Sequence, residues 1–591
     1  MKTRNQINDN FKWDLSPLCS SDEDFYKGLE KVNEYIKKFK NFENKLNNKE
    51  TILKFFKLDE EFDDLIEPLY MYVHLKHDEI LSDRKRNEMS EKISHILSEL
   101  SVETSFVTTE LHELPDEIID DILQDKRFKD YDRMFENIKK EKIHMLSKEE
   151  EKLLAGMSFL GGFSSNMRNL SDVDITFEKV KDSKGKTLEL NHSNYSVYLR
   201  SKDRELRKNT MTVLNGTYGK FINTLANNYI NEVKQNCYFA KVRKYKSALD
   251  EALQDEEVSK KVYDTLIQSV NKNLDVLFDY FKLKKKILGL DNFYIYDCMA
   301  EIDKNKGKKY SYDQAIEIIM EAVAPLGSEY VNLIKQAKDN RWIDVYPNKD
   351  KRSGAYESGI YGYHPYVLTN FEGDLDSVFT LAHELGHAMH THFSNNNQPR
   401  TKASYTIFLA EIASTTNEIL LINYFLKRSN SKNEKLYLLN KLFDEVKGTI
   451  FRQTMFAEFE EHVHSSYEKA EALTKDGLCE YYYNLNKKYF GSVKLIKEIQ
   501  YEWARIPHFF TAFYVYKYAT GMICAITFVN KILEKGEEAV RDYYKFLTAG
   551  ASDTPNNILK KANCNLEDEK TFDECFAYLK NLIKEWKKLT K

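Results

Sequence analysis

The residues with the clearest chemical potential are His383, Glu384 and His387, which form an H-E-x-x-H pattern. Good helix formers and apolar residues at helical spacing surround them, so this segment is predicted to be a helix. Side chains four residues apart lie on one face of a helix, about one turn from each other, so both imidazoles can reach one cation. Glu384 would then stand beside the open coordination position, where it could take a proton from a water molecule. The pattern predicts a zinc site, although so short a pattern can also occur by chance.

A catalytic zinc site needs a third protein ligand that leaves one position for water. The candidate is Glu411, which lies in a predicted, largely apolar helix over residues 407–421. An unpaired carboxylate in such surroundings would be costly, and metal coordination would remove that cost. Glu418 lies two turns further along the same face and is predicted to orient one of the histidines by accepting a hydrogen bond. The alternative is an ordinary salt bridge between helices.

His390 follows His387 by about one helical turn and raises a second possibility, a site with three histidine ligands. Helix geometry disfavours that site, because consecutive turns spread side chains along the axis instead of around one point. We therefore assign His390 to the layer behind the ligands or to the wall of the cleft. The predicted cofactor is one zinc ion held by His383, His387 and Glu411.

Five further segments, spread along nearly the whole chain, accompany the histidine pattern. They are Trp-Asp-Leu-Ser at 13–16, Lys-Arg-Ser-Gly-Ala-Tyr at 351–356, Phe-Leu-Ala-Glu-Ile-Ala-Ser at 408–414, the segment 453–460, and Arg-Ile-Pro-His-Phe-Phe at 505–510 with its continuation to 521. Many peptidase families share the zinc pattern, but the ordered set resembles peptidase family M3, and within it the oligoendopeptidase F branch. The resemblance implies a mainly α, two-lobed helical zinc metallopeptidase with small β elements near the active-site helix. It also implies a deep central channel that admits unfolded peptides and excludes folded proteins.

Hydrolysis of a peptide bond creates a tetrahedral oxyanion, which hydrogen-bond donors opposite the metal would stabilise. His508, after a proline, is the first candidate; Tyr514 is the preferred tyrosine, and Tyr518 is second because we expect it to face the helix core. Family M3 has His and Tyr donors on a loop and helix that contain glycine, and this segment ends at Gly521. Branch members often carry tyrosine where this chain has Phe510, which argues against position 510 as a donor. Each tyrosine could also serve packing alone, since Tyr makes up 38 of 591 residues.

Residues 354–370 contain three glycines and alternating aromatic residues, which predict a small bent sheet directly before the zinc helix. An edge of this sheet could bind an extended peptide by strand addition, or the sheet could merely support the helix. The resemblance favours peptide binding, and Tyr363 and His364, together with Tyr518, are the predicted substrate contacts.

The remainder of the chain is predicted to be helical, because it has only nine Pro and 21 Gly. The exception is the segment 174–190, where alternating residues flank a glycine-containing turn and predict a β-hairpin. We place a domain boundary after it. The predicted domains are an N-terminal helical lobe at 1–200, which ends in the hairpin region, and a catalytic zinc metallopeptidase domain at 201–591.

Composition argues against several classes of protein. A net charge of −5, with only short basic runs, indicates no nucleic-acid partner. No apolar stretch approaches the length of a membrane span, and the first residues are polar. The chain has seven cysteines, an odd number, and no two of them have C-x-x-C spacing. This pattern is typical of reduced thiols in a cytoplasm. A cytoplasmic protein without nucleic-acid or membrane partners is predicted; the oligomeric state stays open.

These observations predict a zinc-dependent oligoendopeptidase that hydrolyses internal bonds of short, unfolded peptides, with Glu384 as the general base. A zinc carboxypeptidase is one alternative. It would need a cationic group at the end of the cleft to hold the terminal carboxylate, and no such group is evident in the sequence. A catalytically inert peptide-binding protein is the other alternative, but such a protein would have no need of Glu384.

Overall fold

The computed structural model describes residues 1–157, 161–302 and 308–590, which are mostly helical. The helices of the first part are α1 Asp22–Phe39, α2 Lys49–Glu79, α3 Arg84–Glu103, α4 Phe106–His112, α5 Asp116–Gln124, α6 Asp132–Glu141 and α7 Lys148–Gly156. Helix α1 shows why they form, because Leu29, Val32 and Ile36 recur at helical spacing and all are buried. None of the described helices combines the length and apolar character that a membrane span needs.

Helices also dominate the rest of the chain. The middle part contains α8 Phe163–Asn169, α9 Tyr195–Arg200, α10 Arg204–Lys220, α11 Ile222–Val242, α12 Ala248–Asp255, α13 Lys260–Lys272, α14 Leu274–Ile287, α15 Tyr312–Val323 and α16 Ser328–Asp339. The last part contains α17 Leu375–Asn397, α18 Arg400–Ala403, α19 Ile407–Arg428, α20 Lys432–Val446, α21 Arg452–Glu468, α22 Lys475–Phe490, α23 Tyr516–Lys535, α24 Glu537–Leu547, α25 Pro555–Lys561 and α26 Glu569–Leu589. The mainly α architecture predicted from the sequence is confirmed.

Apolar side chains form two large cores. The first core takes residues between Trp13 and Ile138, and the second extends from Met167 to Trp586. The predicted boundary at residue 200 stays a prediction. The packing of side chains, however, groups the residues just before it, such as Ile175 and Leu199, with the second core.

The predicted hairpin is present but shorter than expected. Strand β1 (Val180–Lys181) pairs antiparallel with β2 (Thr187–Leu188), and Gly185 in the turn has a φ of +78°. The expected first strand from residue 174 was too long: a π-helical turn ends at Asp174, residues 175–179 have no regular structure, and pairing begins only at Val180. The hairpin buries its apolar residues against α10, where Leu206 packs with Val180 and Leu190.

A three-stranded sheet lies directly before α17, as predicted. Its strands are β3 (Ile343–Asp344), β4 (Tyr356–Ser358) and β5 (Tyr366–Leu368), in the order β3–β5–β4, with β3 parallel and β4 antiparallel to β5. Strand β5 is entirely buried. Because successive side chains point to opposite faces, Tyr366 and Leu368 enter the first core while Val367 enters the second. This central strand therefore joins the two cores next to α17.

Buried charges fix the sheet to the N-terminal part of the chain. Asp344 on β3 is fully buried, with its Oδ1 2.8 Å from Arg4 Nη1 and 2.7 Å from Lys351 Nζ. Arg4 also bonds the Glu79 carboxylate at 2.8 Å. Removing one partner of such a buried cluster leaves a charge uncompensated, so these residues hold β3 and α2 in one arrangement.

A cavity of about 960 Å³ opens in the second core. Its wall includes side chains of α9, α10, α20 and α21, and it reaches His508. Residues Lys447–Phe451, between α20 and α21, form a π-helical turn, and Lys447, Gly448 and Phe451 line the cavity. We call this space the chamber.

Candidate metal centre and active site

Helix α17 presents His383 and His387 side by side. The helix begins after Asp374, whose side chain accepts a hydrogen bond from the Ser377 backbone N–H. The two imidazoles lie one turn apart, and their Nε2 atoms are 3.2 Å apart. Glu411 on α19 brings its Oε2 to 3.4 Å from His383 Nε2 and 3.6 Å from His387 Nε2. Three donor atoms from two helices therefore face one point.

This spacing can be tested against zinc chemistry. Ligand atoms at about 2.0–2.1 Å from a tetrahedral zinc ion lie about 3.3–3.4 Å from one another. The three observed separations of 3.2, 3.4 and 3.6 Å scatter around that value. Across the described ranges of the chain, no second set of three His, Cys, Asp or Glu side chains brings its donor atoms so close. The residues present fit a zinc ion that keeps one open position.

A glycine inside the histidine pattern allows the two helices to approach closely. A Cβ at Gly386 would lie 2.6 Å from the Cα of Ser414 and 2.7 Å from the carbonyl oxygen of Ala413. Those atoms belong to the backbone of α19 and cannot turn aside as a side chain can. Gly386 therefore permits the helix contact that brings Glu411 to the histidines.

The Glu418 carboxylate accepts a hydrogen bond from His383 Nδ1. This contact leaves the Nε2 of His383 facing His387 and Glu411. Burial lowers the pKa of His383, but Glu418 and the two other nearby glutamates raise it to about 9. The hydrogen bond with His387 is the main reason why the pKa of Glu411 falls to about 2. The Glu411 carboxylate is therefore ionised near neutral pH and offers a negatively charged oxygen to a divalent cation.

Glu384 lies beside the centre on α17 and is only 7% exposed. Burial raises the pKa of its carboxyl group, while the charges of His383 and His387 oppose that rise. A carboxylate with a raised pKa is a better proton acceptor near neutral pH than an ordinary surface glutamate.

Two expectations about the ligand region need correction, and the first concerns Glu411. Its side chain is 44% exposed, so the premise that it sits in apolar surroundings was wrong. The exposed carboxylate instead accepts a hydrogen bond from Ser414 Oγ at 3.0 Å. Amphipathic spacing placed the rest of α19 in the core, but it could not show that the Glu411 side chain is partly exposed.

The second correction concerns His390, which does not line the cleft. It is fully buried, and its ring stacks on Tyr405 with a centroid distance of 3.7 Å and an interplanar angle of 11°. Neither ring nitrogen finds a hydrogen-bond partner among the described residues, and burial lowers the pKa to about 3. The assignment of His390 to the cleft wall was therefore wrong, and the ring has no hydrogen bond to a ligand.

His508, Tyr514 and Tyr518 form one cluster of rings, and of the three Tyr518 is the one on which the Glu411 charge acts. His508 lies in the short helical turn Pro507–Phe510, and its ring centroid is 6.4 Å from Tyr514 and 6.0 Å from Tyr518. The two tyrosine rings are 5.4 Å apart. Burial lowers the pKa of His508, so its imidazole is neutral at pH 7 and keeps one N–H to donate.

Tyr518 does not face the helix core as expected. It is half-buried, and burial together with Tyr514 and the Glu411 charge raises its pKa to about 12. Helix α23 lies close to α19, as a distance at Gly521 shows. A Cβ added to Gly521 would lie 3.8 Å from the Cβ of Glu411. Phe510, which lacks a hydroxyl, packs on Tyr229 at 5.9 Å. Tyr518 therefore stands nearer to the metal centre than the sequence indicated.

Tyr363 and His364 lie between β4 and β5. The His364 ring stacks on Trp342 at 4.8 Å, and its Nδ1 is 3.0 Å from the carbonyl oxygen of Pro365. Tyr363 packs against the first core, and burial raises its pKa. In the part of the chain that the structure describes, no contact connects either residue to the proposed ligands, so their binding of substrate stays a prediction.

Sequence reasoning missed two carboxyl groups near the site. Glu357 on β4 lies where burial raises its pKa to about 7, with His387 and Thr391 opposing the rise. Glu460 on α21 is fully buried and bonds the backbone of Phe513. For Glu357 the alternation of side chains along the strand was a usable signal, because the Glu357 side chain lies on the same face of the sheet as the buried Val367. For Glu460 the only signal was an acidic residue in a largely apolar helix.

The chain is similar to known proteins along its length. The model of Peptidase family M3 matches residues 197–578, and a model described as Oligopeptidase F matches residues 110–177. Oligopeptidase PepF of Bacillus subtilis (strain 168) is 37% identical, over 99% of this chain and 88% of that protein. The crystal structure of a putative peptidase from Chlamydophila abortus superposes with a TM-score of 0.95 and 35% identity, covering 100% of both chains. That of oligoendopeptidase-F from Enterococcus faecium gives 0.70 and 30%, over 96% of this chain and 98% of the other.

The resemblance drawn from the five segments is thus confirmed. One family model covers more than half of the chain, and relatives above 30% identity match it nearly from end to end. With its His-His-Glu donor set, this chain belongs to peptidase family M3 and is a metalloendopeptidase of the oligoendopeptidase F type.

Proposed function

We propose that this chain is a zinc-dependent oligoendopeptidase that hydrolyses internal bonds of short, unfolded peptides. The observation that carries the proposal is the convergence of His383, His387 and Glu411, whose donor atoms all lie within 4.8 Å of one another. Glu384, buried beside the two histidines, completes the set. A peptide-binding protein without catalysis would have no use for this carboxylate.

A bound zinc ion would activate water and polarise the carbonyl of the scissile bond. The protein's own residues do the rest. Glu384 accepts the proton of the attacking water, which its raised pKa favours, and then passes that proton to the leaving nitrogen. Glu418 holds His383 in the orientation that turns its Nε2 to the metal. His508 and Tyr514 donate hydrogen bonds to the developing oxyanion.

We propose that the substrate is an extended peptide that occupies the chamber beside His508. A volume of about 960 Å³ accommodates a peptide segment and excludes a folded domain. Strand β4 lies at an edge of the sheet and packs against α17, and we propose that its outer side pairs with the substrate backbone. Tyr363, His364 and Tyr518 are the proposed side-chain contacts.

One observation favours a carboxypeptidase as the second candidate. Arg452 and Arg505 both lie in the chamber wall and both bond Glu502, so two guanidinium groups share one carboxylate. The excess positive charge could hold the terminal carboxylate of a peptide. Peptides with free and amidated C termini separate the two candidates: an endopeptidase cuts both at internal bonds, whereas a carboxypeptidase cuts only the free form.

We also propose a cytoplasmic location, with peptides as partners and neither nucleic acid nor membrane among them. All seven cysteines are buried thiols without disulfides, as in a reducing compartment.

The test of the proposed function is Glu384→Gln, which keeps the size of the side chain and removes its basicity. The variant should bind zinc and an internally quenched peptide as the wild type does. Its kcat should fall by about 10²–10⁴, the usual contribution of a general base. Zinc content by atomic emission and binding by fluorescence anisotropy serve as controls. A Glu384→Gln variant that keeps kcat within about tenfold of wild type would remove Glu384 from the mechanism.

Removal of the metal is a second test. Wild-type protein stripped by a chelator should lose activity and regain it with zinc.

A further inference from the structure

Phe513, between His508 and Tyr514, has an unusual backbone conformation. Its backbone φ is +54°, in the left-handed region that residues other than Gly, Asn and Asp rarely adopt. Phe513 is 2% exposed, and its ring packs against His464 with a centroid distance of 4.6 Å. A strained residue persists only where the surroundings hold it, and such residues cluster at functional sites.

The buried carboxyl of Glu460 on α21 contacts the backbone of Phe513. Glu460 Oε1 accepts a hydrogen bond from the Phe513 backbone N–H at 3.0 Å. The Glu460 residue has no exposed surface. Its second oxygen, Oε2, is buried and meets no hydrogen-bond partner among the described residues. Burial of this carboxyl costs desolvation free energy, and within the described ranges of the chain the hydrogen bond to the strained residue is the side-chain contact that offsets the cost.

Among the described residues, Glu460 forms no ion pair. Its neighbours include Tyr229 and Tyr263, both fully buried. Burial is the main cause of the raised pKa of each tyrosine, and the charge of Glu460 is the second cause. Burial raises the pKa of Glu460 to about 8, while the Phe513 N–H opposes the rise. The group is thus mostly a neutral acid at pH 7, and an amide of the same shape can take its place.

The conformation of Phe513 decides where Tyr514 points, because Tyr514 is the next residue. Tyr514 lies two residues before Tyr516, where helix α23 starts, so its backbone belongs to the turn that directly follows Phe513. The turn places the Tyr514 ring 6.4 Å from His508 and 5.4 Å from Tyr518, the tyrosine on which the charge of Glu411 acts. If Phe513 relaxed to a negative φ, the backbone on either side would rotate and the hydroxyl of Tyr514 would move.

We propose that Glu460 is a positioning residue: its carboxyl holds Phe513 in the left-handed conformation and so directs the Tyr514 hydroxyl into the cleft. The inference rests on the proposed function, because it gives Tyr514 a role in hydrolysis. Glu460 touches neither substrate nor metal in this scheme, and it acts only through the backbone of Phe513.

The test compares two substitutions of similar size. Glu460→Gln keeps an oxygen that accepts from the Phe513 N–H, and its kcat should stay within about twofold of wild type. Glu460→Met fills the same space without an acceptor, and its kcat should fall by about 10²-fold, as for a displaced catalytic group, with KM little changed. Zinc content should be the same in both. Should Glu460→Met fail to fold, Glu460→Asp, whose carboxyl is one methylene short of Phe513, should show the same loss of kcat.

A double variant separates positioning from general damage. In a Tyr514→Phe background, Glu460→Met should lower kcat by less than about twofold further, because the hydroxyl it positions is already absent. An equal loss in both backgrounds would overturn the proposal, and so would wild-type kcat in Glu460→Met or a Glu460→Gln as damaged as Glu460→Met.

Amide hydrogen exchange of the peptide 508–518 gives a readout without catalysis. Exchange should quicken in Glu460→Met and not in Glu460→Gln, because only the methionine removes the acceptor of the Phe513 N–H. If zinc-loaded wild type cut no peptide, the proposed function would fail, while the exchange result would still report on the contact. Equal exchange in the two variants would overturn the role of Glu460.

Discussion

Tyr514 and Tyr518 are the two candidate tyrosine donors to the oxyanion, and substitution by Phe removes only the hydroxyl of each. Tyr514→Phe should lower kcat by about 10²–10³ with little change in KM, because the lost hydroxyl acts mainly on the transition state. Tyr518→Phe should lower kcat by less than about tenfold, since Tyr518 contacts Tyr514 and lies near Glu411 but is the second candidate donor. Steady-state kinetics with one quenched peptide measures both.

Tyr516 is the matched control on the same helix. It is 1% exposed, and its hydroxyl is buried without a hydrogen-bond partner in the described part of the chain. Tyr516→Phe should therefore leave kcat and KM unchanged. Normal activity in Tyr514→Phe together with a severe loss in Tyr518→Phe would transfer the role of oxyanion donor to Tyr518.

Among the helices, the contact between α17 and α19 assembles the metal centre. Gly386→Ala would place a Cβ within 2.6–2.9 Å of backbone atoms of Ala413 and Ser414, so the helices must separate. We expect a loss of about 1–3 kcal/mol in the free energy of unfolding, as for other overpacked sites, and weaker zinc binding because Glu411 retreats with its helix. Chemical denaturation and competition with a metal-sensitive dye measure the two effects.

Gly216→Ala is the control for Gly386→Ala. Gly216 also lies inside a helix, α10, but its added Cβ would meet only Glu498 Cγ at 3.7 Å, an ordinary contact. Alanine is the better helix former, so this variant should be as stable as wild type or more stable. If Gly386→Ala matched it in stability and in zinc affinity, the close approach of the helices would not limit the geometry of the centre.

For the molecule as a whole, the chamber predicts selection by size and shape. Linear peptides should be cut internally, and kcat/KM should fall as the same sequence is lengthened beyond what the chamber holds. A cyclised peptide with the same scissile sequence should be cut much more slowly, because it cannot extend along the wall and the edge of β4. Mass spectrometry of products from a length series, with a stable folded protein as comparison, provides the measurement. Efficient digestion of the folded protein would contradict an enclosed site.

The helical fold class, the family and the principal candidate residues for chemistry could all be predicted without the structure. The reason is that this information is local. His383 and His387 share a helix face at a spacing of four residues, and Glu384 is the direct neighbour of His383. Few prolines and glycines together with helical periodicity predicted the helices, and a glycine-containing turn predicted the hairpin, although not its length.

Relations between distant segments depended on the packing of the folded chain. His383 and Glu411 lie on different helices, and the spacing within either helix cannot reveal which face of α19 meets α17. The surroundings of the partly exposed Glu411 and of the fully buried His390 were both misjudged for that reason.

Long-range packing also established the remaining features of the site. The approach of α23 to α19 brought Tyr518 towards Glu411, and the buried contact between Glu460 and Phe513 joins α21 to the turn before Tyr514. These contacts connect residues far apart in sequence, and they depend on how whole helices pack rather than on the pattern within any one of them. Residue spacing therefore determined which side chains could do chemistry, and the packing of helices determined which of them meet.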